Sequence, residues 1–275
     1  MTKLVDAQPT SDGAGVKLRR SLGSRLLPML DPFLMLDEFR SDRPDDYLAG
    51  FPNHPHRGFE TVTYMLEGAM EHRDSLGNRG HLGPGSTQWM TAGRGIIHSE
   101  MPKQENGLMW GFQLWVNLPA AQKLVKPRYQ DLAPETIPEV TVGDARARLV
   151  AGEAGGKRGP VEGIVTAPQM LDMTVPARGR LQHGLPRSHN AFVYVVEGVA
   201  SVGAARVSVA RGQLAVLGPG EHVEVRSDDG ARLLLLAGQP IGEPVARSGP
   251  FVMSTDAELT QAWDDFRTGR LVSPG

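Results

Sequence analysis

The 275 residues contain no cysteine. Disulfides and thiolate ligands are therefore excluded, and any metal site must use nitrogen and oxygen donors. Long apolar runs are also missing: no stretch approaches the roughly 18 residues of a membrane-spanning helix. The opening residues, Met1 to Val16, are polar and lack the apolar core of a secretory signal, which makes the cytoplasm the default location. Neither sign of charge dominates. Lys and Arg number 29 against 31 Asp and Glu, interspersed, for a net charge of −2. No basic stripe or polybasic tail appears, so direct binding to nucleic acid or a membrane surface is not expected, while binding to another protein stays open. The 40% of hydrophobic residues suffice for a core. What is plentiful is glycine and proline, at 33 and 21 residues, without a Gly-x-y period. That balance predicts a strand-rich chain with many tight turns.

Short apolar runs closed by Gly or Pro carry the strand signal. Phe59 to Leu66 ends at Glu67-Gly68, and Gln88 to Thr91 is a second run. Gly111 to Leu118 alternates, with Phe112, Leu114 and Val116 on one side and Gln113, Trp115 and Asn117 on the other. Residues 119 to 140, with prolines and charges, read as an inter-domain connection, and 152 to 160 as an exposed loop. Strands resume at Ala191 to Val196, Arg206 to Ala210, Leu214 to Leu217 and Arg232 to Ala237. The halves echo each other: Tyr64-Met65-Leu66-Glu67-Gly68 resembles Tyr194-Val195-Val196-Glu197-Gly198, and Gly83-Pro84-Gly85 resembles Gly218-Pro219-Gly220. A duplicated all-β unit follows, with domains at 1–130 and 131–275. Near the end, Thr255 and Glu258 form a capping box, and Leu259, Ala262, Trp263 and Phe266 follow helical spacing toward a stop at Gly269.

Two histidines sit at His54-Pro55-His56. In a strand, residues i and i+2 face one side, so both imidazoles can reach one point. His98-Ser99-Glu100, after the turn Gly93-Arg94-Gly95, repeats that spacing. Facing each other across a barrel, the two pairs would give three nitrogens and one carboxylate, a set that suits iron, manganese, nickel, copper or zinc. Four protein ligands on an octahedral ion leave two positions for substrate, dioxygen or water. A lone histidine in a strand is more commonly a partly exposed polar residue, and His189 and His222 read that way.

Gly50 to Gly68 resembles the first cupin motif and Gly85 to His98 the second, but the gap from Gly50 to His54 is short and Thr91 stands where proline is usual. These departures resemble the pirin family. So do the stretches His54 to Tyr64, Trp89 to Pro102 and Gly111 to Pro119, Asp31-Pro32-Phe33-Leu34 with Asp37-Glu38-Phe39, and His189 to Tyr194. The resemblance implies a bicupin: two double-stranded β-helix (jelly-roll) barrels packed together with a short C-terminal helix. It also implies a metal, usually Fe(II) with Mn, Ni, Cu, Co or Zn as alternatives, held in the N-terminal barrel by His54, His56, His98 and Glu100. The second barrel is expected to be metal-free. Glu60 matches the general cupin glutamate, which pirins do not use as a ligand, and Glu60 or Gln113 could accept a ligand's remaining N–H.

Two functions follow from the resemblance. One is a quercetinase-type dioxygenase acting on a flavonol or related enol with dioxygen, with Glu100 taking the substrate's hydroxyl proton and Phe51, Trp89, Met90, Gln113 and Trp115 as pocket candidates. The other is a non-catalytic iron-binding regulator working through protein partners. A structural metal site ranks below both, because closed sites lack open positions.

Overall fold

The computed structural model describes residues 1–272 and contains two compact units interleaved in sequence. One comprises Met1–Gln8, Ser21–Pro32 and Glu135–Pro240; the other comprises Pro9–Arg20, Phe33–Pro134 and the residues from Ile241 on. The main changeover falls at 134/135, and both chain ends cross it. Lys3–Asp6 pairs antiparallel with Gln213–Val216, so the N-terminal strand belongs with the second-half unit. The C-terminal segment belongs with the first-half unit, where Phe251 bridges to Arg57.

The second-half unit is built on a ten-stranded antiparallel sheet. Its central strands, Asn190–Val202, Ala231–Gly238 and Gln169–Val175, lie side by side and bury alternate aliphatic residues such as Val193, Val195, Leu233 and Leu235. Residues 152 to 160, expected as an open loop, contain a minimal hairpin between Glu153–Ala154 and Lys157–Arg158.

The first-half unit has a seven-stranded and a four-stranded sheet. Phe59–Glu67 lies centrally in the larger sheet, flanked by Met109–Asn117 and Thr87–Thr91. Its β-branched and aromatic residues suit a pleated surface, and eight of its nine positions are buried because both faces are covered. The register places Gln113 beside Thr63 and Trp115 beside Thr61, so these four side chains share one face. The smaller sheet pairs Phe51–His56 with Ile96–Pro102, which in turn pairs with Met70–Asp74. Thr63 of the larger sheet meets Glu100 of the smaller at 2.6 Å, so the two sheets face each other there.

Part of the stretch 119–140, read as a connection, is structural. Arg128–Leu132 forms the edge strand beside Thr87–Thr91, and Lys123 is buried. The helix spans Asp256–Arg267 with the expected capping box at Thr255 and Glu258, and Gly269 adopts positive φ just past its end. Leu259 and Ala262 pack with Phe251 and Met253, while Arg57 donates to Asp265 at 2.8 Å. The helix therefore braces the strand that carries His56. Among the described residues, no helix is long and apolar enough to cross a membrane.

The interior also holds a strained acid. Glu60 accepts a 2.6 Å bond from Thr91, but its Oε2 and the Trp89 indole N–H are both buried without a bond of normal geometry. Burial pushes the carboxyl up to about 6, with Thr91 and the indole's field pulling the other way. Since the folded state holds this proton more tightly than the unfolded chain, the stabilisation is complete below about pH 4.5 and lost as pH rises through 6. Glu60→Gln should therefore raise stability at pH 7 by about 2 kcal/mol and leave it unchanged near pH 4. Urea unfolding at both values measures this; an equal effect at the two would show that ionisation is not the cause.

Candidate metal centre

His54 and His56 lie two apart on Phe51–His56 and therefore on one face, with ring centroids 4.7 Å apart. The register sets His98 directly opposite His54, and those rings are 4.3 Å apart. One ring nitrogen from each of His54, His56 and His98 lies within 4.8 Å of the others, and these three form the one metal-capable group found among the described residues. His56 and His98 are buried and His54 is half-buried.

Hydrogen bonds decide which nitrogen each ring presents. His54 Nδ1 lies 2.8 Å from the Pro52 carbonyl, and His56 Nδ1 lies 3.4 Å from that of Pro250. A carbonyl only accepts, so both Nδ1 atoms carry the proton and both Nε2 atoms keep a lone pair. His98 Nδ1 meets His72 Nδ1 at 3.3 Å, and its Nε2 is buried with no hydrogen-bond partner. Such an orphan is costly unless something satisfies it, and a cation does so. Burial first, then the neighbouring imidazole His54 for His56 and His56 for His98, lowers both pKa values well below the ordinary range. Both rings are thus neutral at neutral pH, the state that binds metal. The donor set and its protonation fit a first-row transition metal.

Glu100 stands outside the three-nitrogen group. A bulge between His98 and Glu100 shifts the register to set Glu100 opposite Phe51. Its Oε1 accepts from the Thr63 hydroxyl at 2.6 Å, and Thr63 Oγ1 is 2.8 Å from the Gln113 side-chain amide. The Gln113 atom facing Thr63 is Oε1, and a hydroxyl has one proton, so Glu100 and Gln113 compete for it unless the amide is turned over to present its N–H to Thr63. Among the described residues, no protein group hydrogen-bonds Glu100 Oε2.

His54, His56 and Glu100 line a cavity of about 540 Å³, together with Phe51, Gln113 and Trp115. Trp89 and Met90, expected on that wall, are core residues instead. Trp89 pairs with Val62 and so lies on the face opposite Thr61 and Thr63, while Met90 is packed against Ala92 and Ile96. The acceptors for the ligands' Nδ1–H groups also differ from expectation. Pro52, Pro250 and His72 stand in these places, whereas Glu60 bonds Thr91 and Gln113 bonds Thr63.

His72 went unnoticed in the sequence because a single histidine in a strand carries no pattern. Its place behind His98 gives it a role: it fixes the ring that presents Nε2. His72→Phe should weaken metal binding about 10- to 100-fold while the fold persists. Competition with a chromogenic chelator measures this, and unchanged affinity would remove His72 from the site.

Fold and site together define a cupin protein of two β units with a three-histidine cluster in one of them. The chain belongs to the pirin family: the Pirin model matches residues 15–116 and the Pirin C-terminal cupin domain model matches residues 170–272. It is 50% identical over 270 residues to a pirin-like protein of Caulobacter vibrioides, covering 98% of this chain and 97% of that one. It is 42% identical over 275 residues to pirin of Homo sapiens, covering 98% and 93%. The crystal structure of a quercetin 2,3-dioxygenase from Acinetobacter baumannii superposes with a TM-score of 0.91 at 31% identity, covering 98% of this chain and 97% of that one.

Proposed function

We propose that the protein is a metal-dependent dioxygenase of the quercetinase type, opening the ring of a flavonol or related enol with dioxygen and releasing carbon monoxide. The observation that carries this reading is a three-imidazole cluster of which His54 and His56, together with a half-tethered carboxylate, line one cavity. About 540 Å³ falls within the usual range for small-molecule sites. The similarity to a quercetin 2,3-dioxygenase supports the same reading.

His54, His56 and His98 would hold the ion, with iron(II) the proposed occupant and Glu100 the proposed fourth ligand. Bound there, the metal supplies Lewis acidity that lowers the pKa of a substrate hydroxyl and a path for electrons toward dioxygen. The remaining work falls to the chain. Thr63 fixes Glu100 Oε1, leaving Oε2 to complete the metal set or to take the proton of the substrate's acidic hydroxyl. Gln113 orients Thr63. Phe51 and Trp115 give the cavity flat apolar walls that match planar aromatic rings and exclude water.

The test is dioxygen uptake and carbon monoxide release by anaerobically iron-loaded protein given quercetin. One molecule of each gas per quercetin consumed is the expected result. Stoichiometric metal with neither gas exchanged would overturn the flavonol reaction and leave a metal-binding protein that works through partners.

A further inference from the structure

The cavity contains two guanidinium groups in different circumstances. Arg20 is neutralised: its Nε and Nη2 bond both oxygens of Asp37 at 2.8 and 2.7 Å, and Nη2 also reaches Asp12 at 2.9 Å. Among the described residues, Arg247 has no carboxylate partner. Its contacts are a 3.4 Å bond from Nη1 to the Leu34 carbonyl, a 3.9 Å contact from Nη2 to Met35 sulfur, and the face of Trp115, 4.6 Å from the guanidinium carbon. A guanidinium with five N–H donors is left with most of them unspent, on a cavity wall. Burial and repulsion from Arg20 both work against its charge, and the partial return from Asp37 and Asp12 comes without contact.

The same indole links this group to the metal centre. Trp115 meets the His56 ring edge-on at 5.3 Å and carries Arg247 on its face. Pro250, three residues after Arg247, supplies the carbonyl that orients His56. A planar substrate reaching the imidazoles therefore has a cation beside it, held flat by Trp115 and short of an anion.

We propose that Arg247 is the specificity-determining residue of the cavity, pairing with an ionised oxygen, carboxylate or phenolate, on an aromatic substrate. This rests on the flavonol reading and narrows its substrate to an acidic member of the class. A charged oxygen suits the fork geometry of a guanidinium, and the burial of Arg247 makes such a pair worth more than in water. Arg20, already committed to two carboxylates, has no such role.

The test compares anaerobic binding of 3-hydroxyflavone-4′-carboxylate and of uncharged 3-hydroxyflavone to the metal-loaded protein, followed by ligand fluorescence. The wild type should favour the carboxylate by about tenfold or more. Arg247→Gln should abolish that preference by weakening the carboxylate far more than the uncharged flavonol, and Arg247→Lys should restore part of it. Thermal melts confirm that the variants are folded. Equal affinity of the wild type for both flavonols, or an equal loss for both in Arg247→Gln, would overturn the proposal while leaving the flavonol reading intact. If the wild type binds neither flavonol, that reading fails instead, and a benzoate titration decides for Arg247: binding lost in Arg247→Gln supports an anion site, and binding unchanged in the variant, or none in the wild type, overturns it.

Discussion

Replacing His56 with alanine should strip the protein of at least 99% of its affinity for a first-row metal and, with it, any dioxygenase turnover, while the fold persists. The expectation follows from what the imidazole contributes. It is one of three nitrogens in the cluster, so its loss leaves two protein nitrogens to hold the ion. Loss of a group that merely orients a ligand already costs 10- to 100-fold in affinity, and loss of the ligand itself costs more. The fold should survive because His56 takes part in no ion pair among the described residues, and the one hydrogen bond of its side chain there, to Pro250, is long at 3.4 Å. Removing a fully buried ring still leaves a cavity beside Phe59 and Trp115, so a destabilisation of about 2–4 kcal/mol accompanies it. Metal content by mass spectrometry, circular dichroism and gas exchange on one preparation separate the effects. His189→Ala, in the other unit, is the control and should change none of them. Full metal occupancy in folded His56→Ala would sink the ligand assignment.

The histidine cluster was legible because its pattern is local. His54 with His56 obeys the period of a strand, and His98 stands where the strand register brings it opposite, so two short motifs were enough. Strand positions were legible for the same reason: Phe59–Glu67 and Met109–Asn117 carry the β-branched and aromatic content that a pleated surface selects. Everything that depends on pairing between distant segments was hidden. Whether Trp89 faces the cavity or the core depends on its partner being Val62 rather than Thr61, a matter of register across 27 residues of chain. The exchange of chain ends between units was equally invisible, because Lys3–Asp6 is a strand of four residues whose partner lies some 210 residues away. Thr63, His72 and Arg247 each acquire a role only from what the fold sets beside them.

Hydrogen bonds rather than the ligands alone shape the centre. Each of the three rings has its Nδ1 occupied, two by backbone carbonyls and one by His72. A carbonyl cannot be mutated away, so the tautomers of His54 and His56 depend on the loops holding Pro52 and Pro250. That shifts attention from the ligands to whatever keeps the segment around residue 250 in place.

Lys123 is that anchor, and Lys123→Met should destabilise the protein by about 3 kcal/mol and weaken metal binding as well. The side chain is almost fully buried, at 2% exposure. Burial pushes its amine down to about 8, so at pH 7 it is still an ammonium. Its three N–H bonds meet three acceptors: the Gly58 carbonyl at 2.9 Å, Asn117 Oδ1 at 2.8 Å and the Val252 carbonyl at 3.0 Å. One cation thus ties together the turn after His56, the end of the strand bearing Gln113 and Trp115, and the segment just past Pro250. The approach is close: Gly58 adopts φ +89°, and a Cβ there would meet the Val252 carbonyl at 2.0 Å. Two carbonyls and an amide oxygen converging on one point repel unless a cation lies between them. Methionine matches the length of lysine but donates nothing. Each orphaned acceptor costs about 1 kcal/mol or more, partly offset because an ammonium no longer has to be desolvated. A loss of this size lowers the melting temperature by roughly 10 °C. Because Val252 leads directly to Pro250, the His56 Nδ1–H should lose its acceptor, and metal affinity should fall together with stability. Thermal melts with and without metal measure both. A shift under about 1 °C would show that the three acceptors find other partners, whereas lost stability with unchanged metal affinity would detach the anchor from the site.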